Sequence, residues 1–233
     1  MKVLVIIPCF NEEKNIVDTV NRVKKKYDYV VINDGSKDNS LKVLQDHNFN
    51  YIDLNNNIGI GGAMQTGYKY AYKNGYDIAV QFDGDGQHDE KYINNIINPI
   101  INGQANMVIG SRFIGNESQF KSTKMRRIGI SILSKILNLL VKKEVKDMTS
   151  GFRAIDKKVI KIFCEDYPLE YPEPVTNLSL IKKKLVIKEV PVKMKERKFG
   201  KSSISNIKSI YYMINVILLL FINNFSKGDE KDA

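Results

Sequence analysis

The chain has 233 residues, 43% of them hydrophobic and 27% charged, values that suit one globular domain with at most a tail. Its two cysteines, Cys9 and Cys164, lack the partner spacing of a zinc site or a redox pair, so they read as buried thiols of a reducing compartment. The formal net charge of +10 points to nucleic acid, an anionic membrane surface or a phosphate-rich small ligand.

The first apolar run, residues 3–7, is too short for a signal peptide and is followed at once by acids. It predicts a core strand and a protein inside the cell. Ile16, Val17, Val20 and Val23 mark one face of a helix. Residues 30–32 predict a second strand, followed by a short helix carrying Leu41 and Leu44. Residues 51–54 predict a third strand and residues 60–72 a helix with small residues on one side. A strand at 78–82, a helix at 93–101 and a strand at 107–109 follow. This alternation predicts an α/β fold, a mostly parallel sheet with helices on both faces. After residue 112 the pattern is less regular. Ile128, Ile132, Leu133, Ile136, Leu137 and Leu140 form an apolar helix stripe, residues 185–194 a late strand and residues 195–203 a basic loop. Residues 207–225 form a last, mostly apolar helix.

Three polar clusters directly follow predicted strands. Pro8-Cys9-Phe10-Asn11-Glu12-Glu13 comes after the first, Asn33-Asp34-Gly35-Ser36 after the second, and Asp83-Gly84-Asp85-Gly86-Gln87-His88 after the strand ending at Phe82. In a parallel sheet all three open onto the carboxyl edge, where open α/β sheets bind ligands. Each cluster alone also serves as a turn or a helix cap. Asp83, Asp85 and Gln87 alternate, so in an extended segment their side chains point the same way. Two carboxylates that close repel unless a cation lies between them, and such oxygen donors suit Mg²⁺ or Mn²⁺ with a diphosphate completing the shell. A solvated acidic turn is the plainer alternative. The set lacks the further ligands of an EF-hand. His88 reads as a hydrogen-bonding neighbour of this group, not as a ligand.

These clusters, with Thr149-Ser150-Gly151-Phe152-Arg153, occur in the order found in family 2 glycosyltransferases, which the chain resembles over about residues 1–205. The nearest branch is the dolichyl- and polyprenyl-phosphate sugar transferases. The resemblance implies a GT-A fold and a metal-dependent, inverting transfer from a UDP- or GDP-sugar to a lipid-phosphate or glycan acceptor, in cell-envelope or polysaccharide synthesis. Pro8, Phe10 and Glu12 would line the base and ribose pocket, with Asp34 on the nucleobase. Asp83 would hold the ribose or a metal-bound water; Asp85 and Gln87 would ligate the metal. Tyrosine is common in the family where Phe10 stands, which removes one hydrogen bond to the ribose or base. Alanine often fills the place of Gly84 in the family, and glycine in its stead is expected to be harmless. Arg112, in Ile109-Gly110-Ser111-Arg112-Phe113, would approach a donor or acceptor phosphate; Arg126 and Arg127 read rather as a solvated helix start. The glycine-rich residues 57–63 lack P-loop and dinucleotide spacing and read as a tight loop with close helix packing beside the nucleotide.

On the acceptor side, residues 196–203 resemble the family's mobile loop. Arg197 and Lys201 there would grip phosphates, by fork geometry and point charge. A hydroxyl acceptor needs a carboxylate base, for which Asp147 and Glu173 are the candidates, whereas an ionised lipid phosphate can attack unaided. Glu173 serves equally as a helix cap. Residues 210–222 are shorter than the roughly 20 apolar residues of a spanning helix. Flanked by Lys208 and Lys227, they suit a helix lying on an anionic membrane, or one packed in a homodimer. The expected organisation is a catalytic domain at 1–205 and a membrane-associating or dimerising tail at 206–233, with the protein peripheral on the inner face of the cell membrane. A non-catalytic nucleotide-sugar-binding scaffold is the second reading. Nucleic-acid binding ranks last, since no zinc spacing or RNP signature accompanies the charge.

Overall fold

The structure is a computed structural model that describes residues 1–114 and 145–195, together with Asn215 and Leu218. The stripe at 128–140, Arg126, Arg127, Arg197, Lys201 and the division at residue 205 lie outside the described residues.

Among the described residues seven strands form one sheet in the order β3-β2-β1-β4-β6-β5-β7. They are β1 (Val3–Cys9), β2 (Asp28–Asp34), β3 (Tyr51–Leu54), β4 (Ile78–Gln81), β5 (Met107–Ser111), β6 (Arg153–Asp156) and β7 (Ile187–Pro191). Neighbours run parallel except at β6, which lies antiparallel between β4 and β5. The predicted mostly parallel sheet is therefore found. The sequence reading missed β6, and the late strand is shorter than residues 185–194.

The central strands are apolar on both sides because both faces are covered. Leu4 and Ile6 of β1 enter one core with Met64 and Tyr68 of α3 (Gly59–Lys73) and with Val159, Ile160 and Phe163 of α5 (Lys157–Glu165). Val5 and Ile7 enter the other, with Val20 and Val23 of α1 (Ile16–Val23), Leu44 of α2 (Ser40–Asp46) and Ile93 and Ile97 of α4 (Ile93–Ile101). Glycines let α3 pack closely: a Cβ on Gly61 would sit 2.3 Å from Pro168 O, and one on Gly67 2.3 Å from Ile6 Cγ2. The expected packing role of residues 57–63 is thus seen. The last described helix, α6 (Pro172–Lys182), starts with Pro172 at its first position, directly after Tyr171 in the left-handed region at φ +51°. Among the described residues no helix is long and apolar enough to cross a membrane.

Candidate active site

Parallel pairing sets the tips of β1, β2 and β4 side by side, with Pro8 opposite Ile32, Cys9 opposite Asn33 and Ile6 opposite Gln81. The three polar clusters therefore open on one edge, as expected. One premise fails. Residues 83–88 form a turn, not an extended segment: Gly86 has φ +79°, and Asp85 Oδ1 accepts the Gln87 N–H at 3.0 Å. Asp83, Asp85 and Gln87 are gathered by a side-chain-capped turn and not by strand alternation.

Gly84 sits where this turn meets the first loop. A Cβ there would lie 2.8 Å from Pro8 O, a backbone atom that cannot swing aside. The glycine is therefore fitted to the close approach of Pro8 O in this chain. Gly84→Ala is expected to cost about 1–3 kcal/mol, the usual range for overpacking, and to weaken nucleotide binding. A thermal midpoint and a nucleotide Kd both unchanged would contradict this.

Asp83 accepts from His88 Nε2 at 3.0 Å, with its side chain about 35% exposed and that of His88 fully buried. Partial burial pushes its pKa up, but His88, the Gln81 amide and the Arg112 charge prevail and hold the carboxyl below its ordinary value. Gly151 leaves room for this group, since a Cβ there would meet Gln81 Nε2 at 2.9 Å and Asp83 Oδ2 at 3.1 Å. From behind, α1 supports the turn: Thr19 Oγ1 donates to Gly84 O at 3.3 Å, and Arg22 Nη1 to His88 O at 2.9 Å. Lys195 closes the far side, its N–H on Gln87 O at 2.7 Å and its Nζ 3.2 Å from Asp89.

The first two loops are cross-linked. Ser36 Oγ accepts from Asn11 N at 3.0 Å, Ser40 Oγ from Glu12 N at 2.8 Å, and Asn11 Oδ1 from Lys37 N at 2.8 Å. Glu12 is buried and accepts from Asn15 Nδ2 at 2.7 Å, so it ties the loop to α1. Phe10 is 41% exposed, an open ring beside Pro8. Asp34 is buried and accepts Ile58 N at 2.8 Å, joining the second loop to the start of α3. Its burial raises its pKa, against the pull of the Ile58 and Gly59 N–H groups.

Arg112 and Asp147, read separately from the sequence, form one buried pair. Arg112 Nε and Nη2 reach the two oxygens of Asp147 at 2.8 and 2.6 Å, and the Arg112 N–H adds a bond of 2.9 Å. Arg112 Nη2 also meets Thr149 Oγ1 at 2.8 Å, and Glu189 of β7 grips the N–H groups of Lys146 and Asp147 at 2.8 Å each. With both oxygens occupied by a guanidinium, Asp147 is placed as the anchor of Arg112 and not as the base that the sequence allowed. Glu173, in the first turn of α6, lies near Arg153 and Asp83. Burial and the Asp83 charge push its carboxyl above the ordinary range, although Arg153 opposes them. Arg153 is buried, held by Ser150 O, Thr176 Oγ1 and Met148 O at 2.7–3.3 Å. Gln81, Arg22 and Arg153 had no assigned role at sequence level. The one available hint was a polar residue, Gln81, ending an otherwise apolar strand.

The donors present fit a hard divalent cation. Two carboxylates and an amide gather at one turn, while no group of three or more His, Cys, Asp or Glu among the described residues makes a closed metal cage. Such an open set would leave positions for further oxygen ligands.

A mostly parallel sheet with helices on both faces, and acids at adjoining strand tips, is the arrangement that the resemblance to GT-A glycosyltransferases implied. The model of glycosyl transferase family 2 matches residues 4–163, and the chain belongs to that family. A UDP-N-acetylglucosamine–dolichyl-phosphate N-acetylglucosaminyltransferase of Methanococcus voltae is 38% identical over 213 residues, 82% of this chain and 84% of that one. The polyprenol monophosphomannose synthase of Mycolicibacterium smegmatis is 26% identical over 91% of this chain and 85% of its own. In fold, the chain is similar to the glucosyl-3-phosphoglycerate synthase of Mycobacterium tuberculosis, solved with Mn²⁺, UDP-glucose and phosphoglyceric acid. The TM-score is 0.73 at 14% identity, over 98% of this chain and 81% of that one.

Proposed function

We propose that the chain transfers a sugar from a UDP- or GDP-sugar to a polyprenyl-type lipid phosphate, with Mg²⁺ or Mn²⁺, as a peripheral enzyme on the inner face of the cell membrane. The observation that carries this reading is the meeting of the first two loops and the acidic turn at one sheet edge. The names of the dolichyl- and polyprenol-phosphate relatives support the acceptor class, and the Methanococcus relative makes UDP-N-acetylglucosamine the first donor to test.

The Phe10 ring and Pro8 receive the base, and Asp34 and Glu12 shape the pocket around base and ribose. Asp83, Asp85 and Gln87 would hold a divalent cation, which offsets charge growing on the departing diphosphate. Arg197 and Lys201 are assigned to the phosphates of leaving group and acceptor. Arg112, immobilised by Asp147, adds fixed positive charge beside Asp83, which favours the ionised acid and anionic ligands. Attack by a lipid phosphate oxygen on the anomeric carbon inverts it and needs no base, because that oxygen is already ionised near neutral pH.

Thermal shift with a panel of nucleotide-sugars, with and without Mn²⁺, tests the donor side; stabilisation by none of them would sink the reading. Glu173 tests the acceptor side. With a polyprenyl phosphate, Glu173→Gln is expected to keep kcat within about tenfold, whereas loss of a general base costs about 10²–10⁴-fold. A loss in that larger range would show that the phosphate does not attack unaided and that Glu173 takes part in the reaction. The same variant has a pH signature. A carboxyl raised in the folded state stabilises the fold only below its unfolded value, and that contribution is lost as pH rises through the raised folded value. Glu173→Gln should thus gain in thermal midpoint over wild type as pH rises above the ordinary glutamate range, and the gain should shrink in acid.

A further inference from the structure

His88 lies beneath the acidic turn, 0% exposed. Its ring stacks on Phe152, with centroids 4.8 Å and planes 22° apart, and meets Phe82 at 5.4 Å and 62°. Its carbonyl accepts from Arg22 Nη1 at 2.9 Å, and the same nitrogen pairs with Glu90 at 2.9 Å. Main chain and ring are both held, so the ring cannot turn away from Asp83 without giving up its aromatic packing.

The two ring nitrogens are unequal. Nε2 is 3.0 Å from Asp83 Oδ2, while Nδ1 is buried with no hydrogen-bond partner among the described residues. A proton on Nδ1 would bury a donor without an acceptor and turn the Nε2 lone pair toward a carboxylate oxygen, two costs at once. A proton on Nε2 leaves only a lone pair unpaired and gives Asp83 a charge-assisted bond.

We propose that His88 is a positioning residue: fixed as the Nε2–H tautomer, it engages Oδ2 of Asp83 and holds that carboxylate in place at the strand tip. Gly151 supports the same carboxylate by emptiness, since a Cβ there would stand 3.1 and 3.3 Å from its two oxygens. The proposal rests on the reading of this cleft as the donor site, and its test separates the two.

The chain has only two histidines, and His47 is exposed with Nδ1 3.0 Å from Val43 O. A ¹⁵N–¹H correlation spectrum, assigned with His47→Gln, therefore reads each ring directly. His88 is expected to show a protonated Nε2 and a bare Nδ1; the opposite pattern overturns the assignment. His88→Phe fills the ring's place without a donor, and His88→Gln keeps an N–H. Calorimetry with UDP and Mn²⁺ should show affinity about tenfold weaker for His88→Phe, or about 1.4 kcal/mol, and a largely restored value for His88→Gln. Equal affinities for wild type and both variants also overturn the proposal. If His88→Phe does not fold, His88→Asn, too short to reach Asp83, replaces it. A wild-type protein that binds neither UDP nor GDP overturns the donor-site reading instead, and the spectrum still decides the tautomer.

Discussion

Replacing Asp85 by alanine is expected to lower kcat/KM for sugar transfer by about 10³-fold, the scale set by loss of one group that stabilises transition-state charge. The structure makes a second variant necessary, because Asp85 Oδ1 also caps the Gln87 N–H at 3.0 Å. Alanine removes both the charge and the cap. Asp85→Asn keeps an oxygen for the cap and removes only the charge. Both variants should lose transfer to a similar degree, while the thermal midpoint falls for alanine and holds for asparagine. The measurement is initial rate against Mn²⁺ concentration, with a melting curve alongside. Transfer by Asp85→Asn within tenfold of wild type, with unchanged metal dependence, would remove the cation from the proposed mechanism.

The largest expected effect on stability is at the Arg112–Asp147 pair. Both side chains are buried, at 5% and 0% exposure, with the guanidinium bonded to both carboxylate oxygens. Asp147→Ala leaves a buried cation without its counter-charge, a change that costs about 3–5 kcal/mol. For a chain of this size that lowers the thermal midpoint by about 10 °C. Arg112→Met/Asp147→Leu, which removes both charges and keeps the volume, is expected to recover most of the loss. Activity should not return with stability, since the fixed positive charge beside Asp83 has gone. If Asp147 were a base with a carboxylate open to substrate, alanine there would cost rate and little stability. Melting curves of the two variants decide between these outcomes.

Much of the site was legible before any coordinates, because its motifs sit where strands end. Once residues 3–7, 30–32 and 78–82 are read as parallel strands, the loops after them must share an edge, and β1, β2 and β4 do pair in parallel. The helix stripe Ile16, Val20, Val23 is found buried against the sheet. What escaped was β6. A charge begins that strand and another ends it, Arg153 and Asp156, leaving only Ala154 and Ile155 as an apolar signal. Only the cover of Ser150 O, Met148 O and Thr176 makes a buried guanidinium tolerable there.

Residue type and order were sufficient to indicate an α/β sheet with an acidic cluster after its fourth strand, because strand periodicity is a local property, and the order of four motifs supplied the resemblance to family 2. Whether Asp147 is open or spoken for, whether Gly84 tolerates a methyl group, and which nitrogen of His88 carries its proton depend on distances between segments far apart in the chain. Those distances exist only after the sheet brings Pro8 to Gly84, Arg112 to Asp147 and Phe152 to His88.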